Sequence, residues 1–401
     1  MRKPILVYLD SSDYSHLSDA RSGERAAIMS QLRDWVRSGA ITCVFSAAHI
    51  SEMAPLEVAH SPAAVDRTRV LVELCGRNAL ISFDRLASLE LASLYKKVGT
   101  SIHAVTSDGT WFPDLKSVVT PVDWLEPLKD LQENLKNQGL NRQERLRIKA
   151  ALFGKNGPRR TAQGLLLGAL RGDALRPILE VYPMRQEDLE VLAQYCIGLA
   201  TAEEANNAFL NCLRDPQWMM KWFYRHHGKL SMISDWVRRP AKEMIQNMEM
   251  IFRDIRMLRE LEVVSGERAE LCTRKGWAAL GDSITVRMAH QGLLKFHSIS
   301  NMELSVDLVD ERCRGLSTLV RTLLSSLKLT LLDQDRQMKE SDFVDALHAM
   351  YAPYVSIFRS DKFMTPHVQK QVERFGTSVV SRLDDLISKI EEKMNDMGTA
   401  P

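Results

Sequence analysis

Short apolar runs and longer amphipathic stretches take turns at the start of this chain. Residues 5–9, 41–45 and 79–83 are nearly continuous apolar runs, too short for helices and rich in Ile, Val and Phe, and they predict buried strands. Helical spacings lie between them. Residues 24–37 put Ile28, Leu32, Trp35 and Val36 on one side, and Ser38-Gly39 stops them as a helix C-terminus often requires. Ser46 can cap a helix running through His49 and Glu52, and residues 64–75 present Val65, Val70, Leu71 and Leu74. Strands alternating with helices imply right-handed crossovers and a parallel sheet.

From about 84 to 337 the spacing is almost wholly helical, for example in 188–212, 236–261 and 317–332. Residues 98–123, richer in Gly, Ser, Thr and Pro, read as loop. Near 340 the earlier style returns: a helix, a strand at 354–358, a short helix, a strand at 377–380 and a charged C-terminal helix. The organisation expected is one α/β domain, residues 1–90 with 338–401, interrupted by an all-α insertion domain over 91–337.

The chain has 401 residues, 45% hydrophobic and 26% charged, which suits a globular protein with a sizeable core. Its net charge of +2 leaves any affinity for nucleic acid to local patches. The six cysteines show no CxxC pair and no zinc spacing, and most have apolar neighbours, so they read as reduced core thiols. The N-terminus enters a strand pattern without a cleavable signal, and apolar stretches such as 164–170 are too short to span a bilayer. A cytoplasmic protein with no membrane partner is expected.

The strand pattern gives four acidic residues a special place. Asp10 ends the first apolar run and Asp361 closes the run before it, while Glu52 and Asp345 fall on helices bordering the same end of the sheet. In parallel α/β sheets ligands bind beyond the carboxyl ends of the strands. Carboxylates gathered there repel one another and share a proton or a cation, and four of them suit a hard ion such as Mg²⁺ or Mn²⁺. Structural readings stand beside this one. Asp342 can be an N-cap with Asp345 three residues on, Asp361 can cap the next helix, and Glu52 can be a solvated helix residue. Asp342 and Asp13 are spare acids, and His348 reads as a residue that orients a carboxylate.

Four motifs in order carry a resemblance. They are Leu9-Asp10-Ser11-Ser12, Ser46-Ala47-Ala48-His49-Ile50-Ser51-Glu52, Asp345-Ala346-Leu347-His348-Ala349 and Phe358-Arg359-Ser360-Asp361-Lys362-Phe363. Together they resemble the PIN-domain nucleases over roughly 1–90 and 338–385, with a far larger separation between the second and third motifs than a minimal member has. The resemblance implies a three-layer α/β/α PIN-like parallel sheet. It also implies Mg²⁺- or Mn²⁺-dependent hydrolysis of phosphodiester bonds, RNA preferred over DNA. Asp10, Glu52, Asp345 and Asp361 would hold the metal, with Ser12, Ser46 and Lys362 in support. The chemistry agrees, since such ions polarise the phosphoryl oxygen and lower the pKa of the attacking water.

Within the insertion, residues 142–160 carry Arg142, Arg145, Arg147, Lys149, Lys155, Arg159 and Arg160 against a single acid, Glu144. Arg142, Arg145, Lys149, Arg159 and Arg160 can grip a phosphate backbone, or form a solvated face. From Trp218 to Arg239 aromatics interleave with cations, but Trp218 and Trp222 are one turn apart, which favours a packing stripe over base stacking. His226-His227 is a weak metal pair. No GxxxxGK[ST], GxGxxG or GxSxG motif occurs, which argues against nucleotide hydrolysis and an α/β-hydrolase. The alternatives to a nuclease are a non-catalytic PIN-like scaffold for nucleic acid or protein, and a toxin-like or defence effector governed by a protein activator or inhibitor.

Overall fold

A computed structural model describes residues 3–19, 23–54, 60–96, 102–113, 125–154, 157–160, 182–225, 273–328 and 340–399, with isolated positions between them. Apart from isolated positions, the expected helix at 236–261 lies outside the described residues, as do half of the 98–123 loop, Lys155, His226, His227 and Trp236; within the described half of that loop Val105–Thr106 form a short strand. The described part is mostly helical, with a small parallel sheet. It divides into two compact units, residues 1–113 with 232–401, and residues 114–231.

The strands of the first unit are β1 (Ile5–Tyr8), β2 (Ile41–Val44), β3 (Ala79–Leu80), β4 (Val105–Thr106), β5 (Ile357–Arg359) and β6 (Ser378–Val380). Four of them form a parallel sheet in the order β2-β1-β5-β6. β3 continues it beside β2, because Leu80 N–H donates to the Phe45 carbonyl at 2.7 Å and Phe45 N–H to that of Asn78 at 3.2 Å. β4 then pairs antiparallel with β3. Strands 5–9, 41–45 and 354–358 were expected in one parallel sheet with the first and third adjacent, and Val7 and Tyr8 do pair with Ile357 and Phe358. Two strand boundaries differ from the sequence reading by more than one residue. Ala352–Tyr354 wind a 3₁₀ turn around Pro353, so β5 starts at Ile357, and β3 stops at Leu80 because a helix starts at Phe83.

Among the described residues the α-helices of this unit are α1 (Ser11–Ser18), α2 (Glu24–Ser38), α3 (Ala47–Met53), α4 (Ser61–Cys75), α5 (Phe83–Tyr95), α6 (Arg274–His297), α7 (Val306–Arg312), α8 (Arg314–Lys328), α9 (Glu340–Ala349), α10 (Thr365–Val372) and α11 (Leu383–Thr399). α2 ends as its sequence requires, with Gly39 at φ +73°. Side chains alternate across the sheet. Leu6, Tyr8, Val44 and Phe358 share one core with α5, α6, α8 and α9. Ile5, Val7, Ile41, Cys43 and Ile357, at alternate positions, are equally buried on the opposite face. Both faces are therefore covered, as a parallel sheet demands.

α6, α7 and α8 were expected in the insertion, but they pack in the same unit as the sheet. The cause is the apolar stripe of α8, where Leu316, Leu319, Val320, Leu323, Leu324 and Leu327 bury against the sheet's core. The start of α8 is fixed by a buried carboxylate. Glu90 of α5 accepts the N–H groups of Gly315 at 2.5 Å and Leu316 at 2.9 Å, together with the Tyr354 hydroxyl. Burial raises the Glu90 carboxyl to about 7 against the pull of these donors. A Cβ at position 315 would lie 2.6 Å from the Met350 carbonyl, so the close approach needs glycine.

The described residues of the second unit form helices Leu125–Asn137, Arg142–Leu152, Gln186–Cys196, Ala202–Leu213 and Pro216–Arg225, with a small hairpin of Phe153–Gly154 and Gly157–Pro158. The stretch 188–212, helical in its spacing, falls on two of these helices. Gly198 at φ +75° ends the first, and Thr201 with Glu204 makes a capping box for the second.

Candidate functional site

The strand order reverses between β1 and β5, and the crevice at a parallel sheet opens at such a point. Asp10 follows β1 and Asp361 follows β5. Each caps the chain that leaves its strand. Asp10 Oδ1 accepts Ser12 N–H at 2.7 Å, and Asp361 Oδ1 accepts Met364 N–H at 2.6 Å. Asp361 was expected to cap the next helix; that helix starts only at Thr365, and Asp361 instead caps the turn before it, which occupies one oxygen of two.

Glu52 lies in the last turn of α3 and is no solvated bystander. Its side chain is 27% exposed, and Oε2 is 2.9 Å from His348 Nε2. Asp345 lies in α9, which already runs from Glu340, so neither Asp342 nor Asp345 caps it and Asp342 is buried inside it. Asp345 makes no hydrogen bond or ion pair with another described residue in the structure, yet it feels all three other acids. Burial first, then the charge of Glu52, and more weakly the charges of Asp361 and Asp10, raise its carboxyl to about 8, against the pull of His348. Burial alone would also raise Glu52, but the His348 imidazole holds it down at about 2. The four carboxyl groups thus share one electrostatic neighbourhood. Among the described residues, no group of three His, Cys, Asp or Glu side chains stands in an arrangement that could hold a metal ion as it is.

Beneath the acids lies a buried polar chain. Tyr8 Oη is 2.7 Å from Ser46 Oγ and 2.5 Å from His348 Nδ1. Ser46 N–H donates to His49 Nδ1 at 3.0 Å, and His49 Nε2 is 2.8 Å from the Leu9 carbonyl. A backbone N–H can only donate, so His49 Nδ1 accepts and Nε2 carries the hydrogen given to Leu9. His49 is therefore neutral. Burial, with the nearby His348, lowers its pKa to about 3. Burial also works against charge on His348, but Glu52 outweighs it and lifts the imidazole above its usual value. With Glu52 ionised, His348 Nε2 is the donor to it.

A second buried pair braces Asp10. Asp13, fully buried in α1, accepts Asp10 N–H at 3.0 Å and faces the Arg359 guanidinium at 3.1 Å. Burial raises the Asp13 carboxyl to about 7 although Arg359 pulls it down. Asp13 is therefore the partner of Arg359 rather than a spare ligand. On α4 the half-buried Arg67 also feels the charge of Glu52.

The supporting residues divide. Ser12 and Lys362 are exposed beside Asp10 and Asp361. Ser46 is fully buried and engaged with Tyr8, so its hydroxyl faces the interior and not a substrate. Sequence reasoning missed Tyr8, which passed as an apolar strand residue, and Arg359 and Arg67, which no pattern singled out. In the second unit Arg142, Arg145 and Lys149 lie on a helix with no buried residue, and Arg159 and Arg160 are exposed. Trp222 is buried, and Trp218 Nε1–H donates to the Pro183 carbonyl at 2.8 Å, so the aromatic stripe is packing. Among the described residues no helix is long and apolar enough to cross a membrane. Comparison with family models, curated proteins and solved structures finds no match.

Proposed function

We propose that this chain is a PIN-like, divalent-metal-dependent nuclease that hydrolyses phosphodiester bonds, with RNA preferred over DNA. The observation that supports it is the gathering of Asp10, Glu52, Asp345 and Asp361, from segments far apart in sequence, at the switch point of a parallel sheet. The donor chemistry fits Mg²⁺ or Mn²⁺: four carboxylates raise one another's need for a cation, and the caps at Asp10 and Asp361 each leave one oxygen over. Among the described residues these side chains do not form a ready cage, so binding requires them to rearrange. A divalent ion there would supply charge stabilisation at the phosphoryl oxygen and acidity to the attacking water. The protein's own part is to hold Glu52 through His348, to fix Asp10 and Asp361 by their caps, and to offer Lys362 to developing negative charge.

The test is cleavage of single-stranded RNA by purified protein with Mn²⁺ or Mg²⁺ and its arrest by EDTA. Asp10→Asn is expected to abolish cleavage. Cleavage that survives in both Asp10→Asn and Asp345→Asn rules the mechanism out. The second reading, a non-catalytic PIN-like scaffold, takes its support from the absence of a ready ligand cage among the described residues. It expects RNA or a protein partner to bind without any effect of metal.

A further inference from the structure

A buried polar group disfavours folding unless it is paired, and an apolar side chain of the same shape avoids the difficulty. Tyr8 poses this question. Its ring stacks on Phe358 at 5.1 Å and 9° and lies beside Tyr351 at 6.2 Å, contacts that a phenylalanine would make equally well. Packing therefore accounts for the ring and leaves the hydroxyl unexplained. The hydroxyl links three of the carboxylate-bearing segments. It lies on β1, two residues before Asp10, and reaches Ser46 at the start of the Glu52 helix and His348 on the Asp345 helix. His348 then has both ring nitrogens engaged, Nδ1 with Tyr8 at 2.5 Å and Nε2 with Glu52 at 2.9 Å. A ring held at both nitrogens cannot turn over, so the Glu52 carboxylate receives a hydrogen bond of fixed direction.

We infer that Tyr8 is a positioning residue of the carboxylate centre: its hydroxyl fixes the His348 ring, and the ring fixes Glu52 for metal binding. This rests on the metal-centre reading proposed above. Without the hydroxyl the His348 ring loses its anchor, and Glu52 samples orientations in which it does not ligate. Loss of such an outer partner weakens metal affinity by about tenfold or more.

The test is titration of Mn²⁺ into the full chain, followed by the electron paramagnetic resonance of free Mn²⁺, with melting curves recorded in parallel. Tyr8→Phe is expected to weaken Mn²⁺ binding about tenfold. Tyr351→Phe is the control, because it removes another buried tyrosine hydroxyl, which donates to the Ile81 carbonyl at 3.0 Å, and leaves the chain to Glu52 intact. It is expected to lower the melting temperature without changing the Mn²⁺ affinity. His348→Gln tests the same link from its other end, and serves if Tyr8→Phe does not fold. The double variant should bind no more weakly than the weaker single one. Mn²⁺ affinity of Tyr8→Phe equal to the parent's, or losses that multiply in the double variant, overturns the positioning role. If the parent shows no Mn²⁺ binding that Asp10→Asn abolishes, the metal-centre reading falls, and the role of Tyr8 with it.

Discussion

Asp345→Asn should stabilise the metal-free protein, and the pH at which it does so is fixed. Asp345 is held in the fold with its carboxyl raised from 3.8 to about 8 by burial and by Glu52, Asp361 and Asp10. Below pH 4 the group is protonated in both folded and unfolded chains and the variant gains nothing. Between pH 4 and 8 folding must take up a proton, and the cost grows to its full value near pH 8. The span corresponds to a ceiling of roughly 6 kcal/mol at about 1.4 kcal/mol per unit. Water and the shared titration of the cluster reduce it severalfold, leaving a gain of about 1–2 kcal/mol, or roughly 2–3 °C in melting temperature. The assay is thermal melting of parent and variant in EDTA at pH 4.5, 6 and 8. In the fold His49, held neutral at about 3, and Glu52, held ionised at about 2, keep their charge states across this pH range, so the change in the difference between the two proteins reports Asp345. A variant no more stable than the parent at pH 8 would refute the shared-charge account. Added Mn²⁺ should stabilise the parent and not the variant.

Other outcomes follow from single contacts. Arg359→Leu leaves Asp13 buried without its cation and should cost about 3 kcal/mol at pH 8, but less at pH 6, where Asp13, already raised to about 7, is neutral; equal losses at both pH values in melting curves would contradict this. Gly315→Ala sets a methyl group 2.6 Å from the Met350 carbonyl and 2.9 Å from Glu90 Oε1, so it should destabilise by about 1–3 kcal/mol in a denaturant melt, and an unchanged midpoint would deny the close approach. Replacing Arg142, Arg145, Lys149, Arg159 and Arg160 together should weaken RNA binding at every sequence and flatten its salt dependence by about one unit of slope per lost phosphate contact. Equal affinity of that variant and the parent at two salt concentrations would remove the basic stretch from the binding surface.

The parallel sheet was legible because β1, β2 and β5 are apolar runs set between helices with recognisable stops, such as Gly39. The strand-end acids were legible for the same reason: Asp10 stands where a strand gives way to a capped helix, and Asp361 where one gives way to a turn that its side chain closes. What could not be read was the partner of each face. The stripe on α8 announces a buried helix and says nothing of which core it joins, so α6 to α8 read as insertion rather than as part of the unit that holds the sheet. The polar chain under the site was hidden for a related reason. Tyr8 and His348 are 340 positions apart, and in an apolar strand a tyrosine looks like any other core aromatic. Arg359, inside another such run, gave no sign that Asp13 would bury with it.

Anomalous diffraction from crystals of the full chain soaked in Mn²⁺ tests the central claim most directly. The account predicts a manganese peak among Asp10, Glu52, Asp345 and Asp361, lost in Asp10→Asn. No peak there at saturating Mn²⁺, or one that persists in the variant, would contradict it.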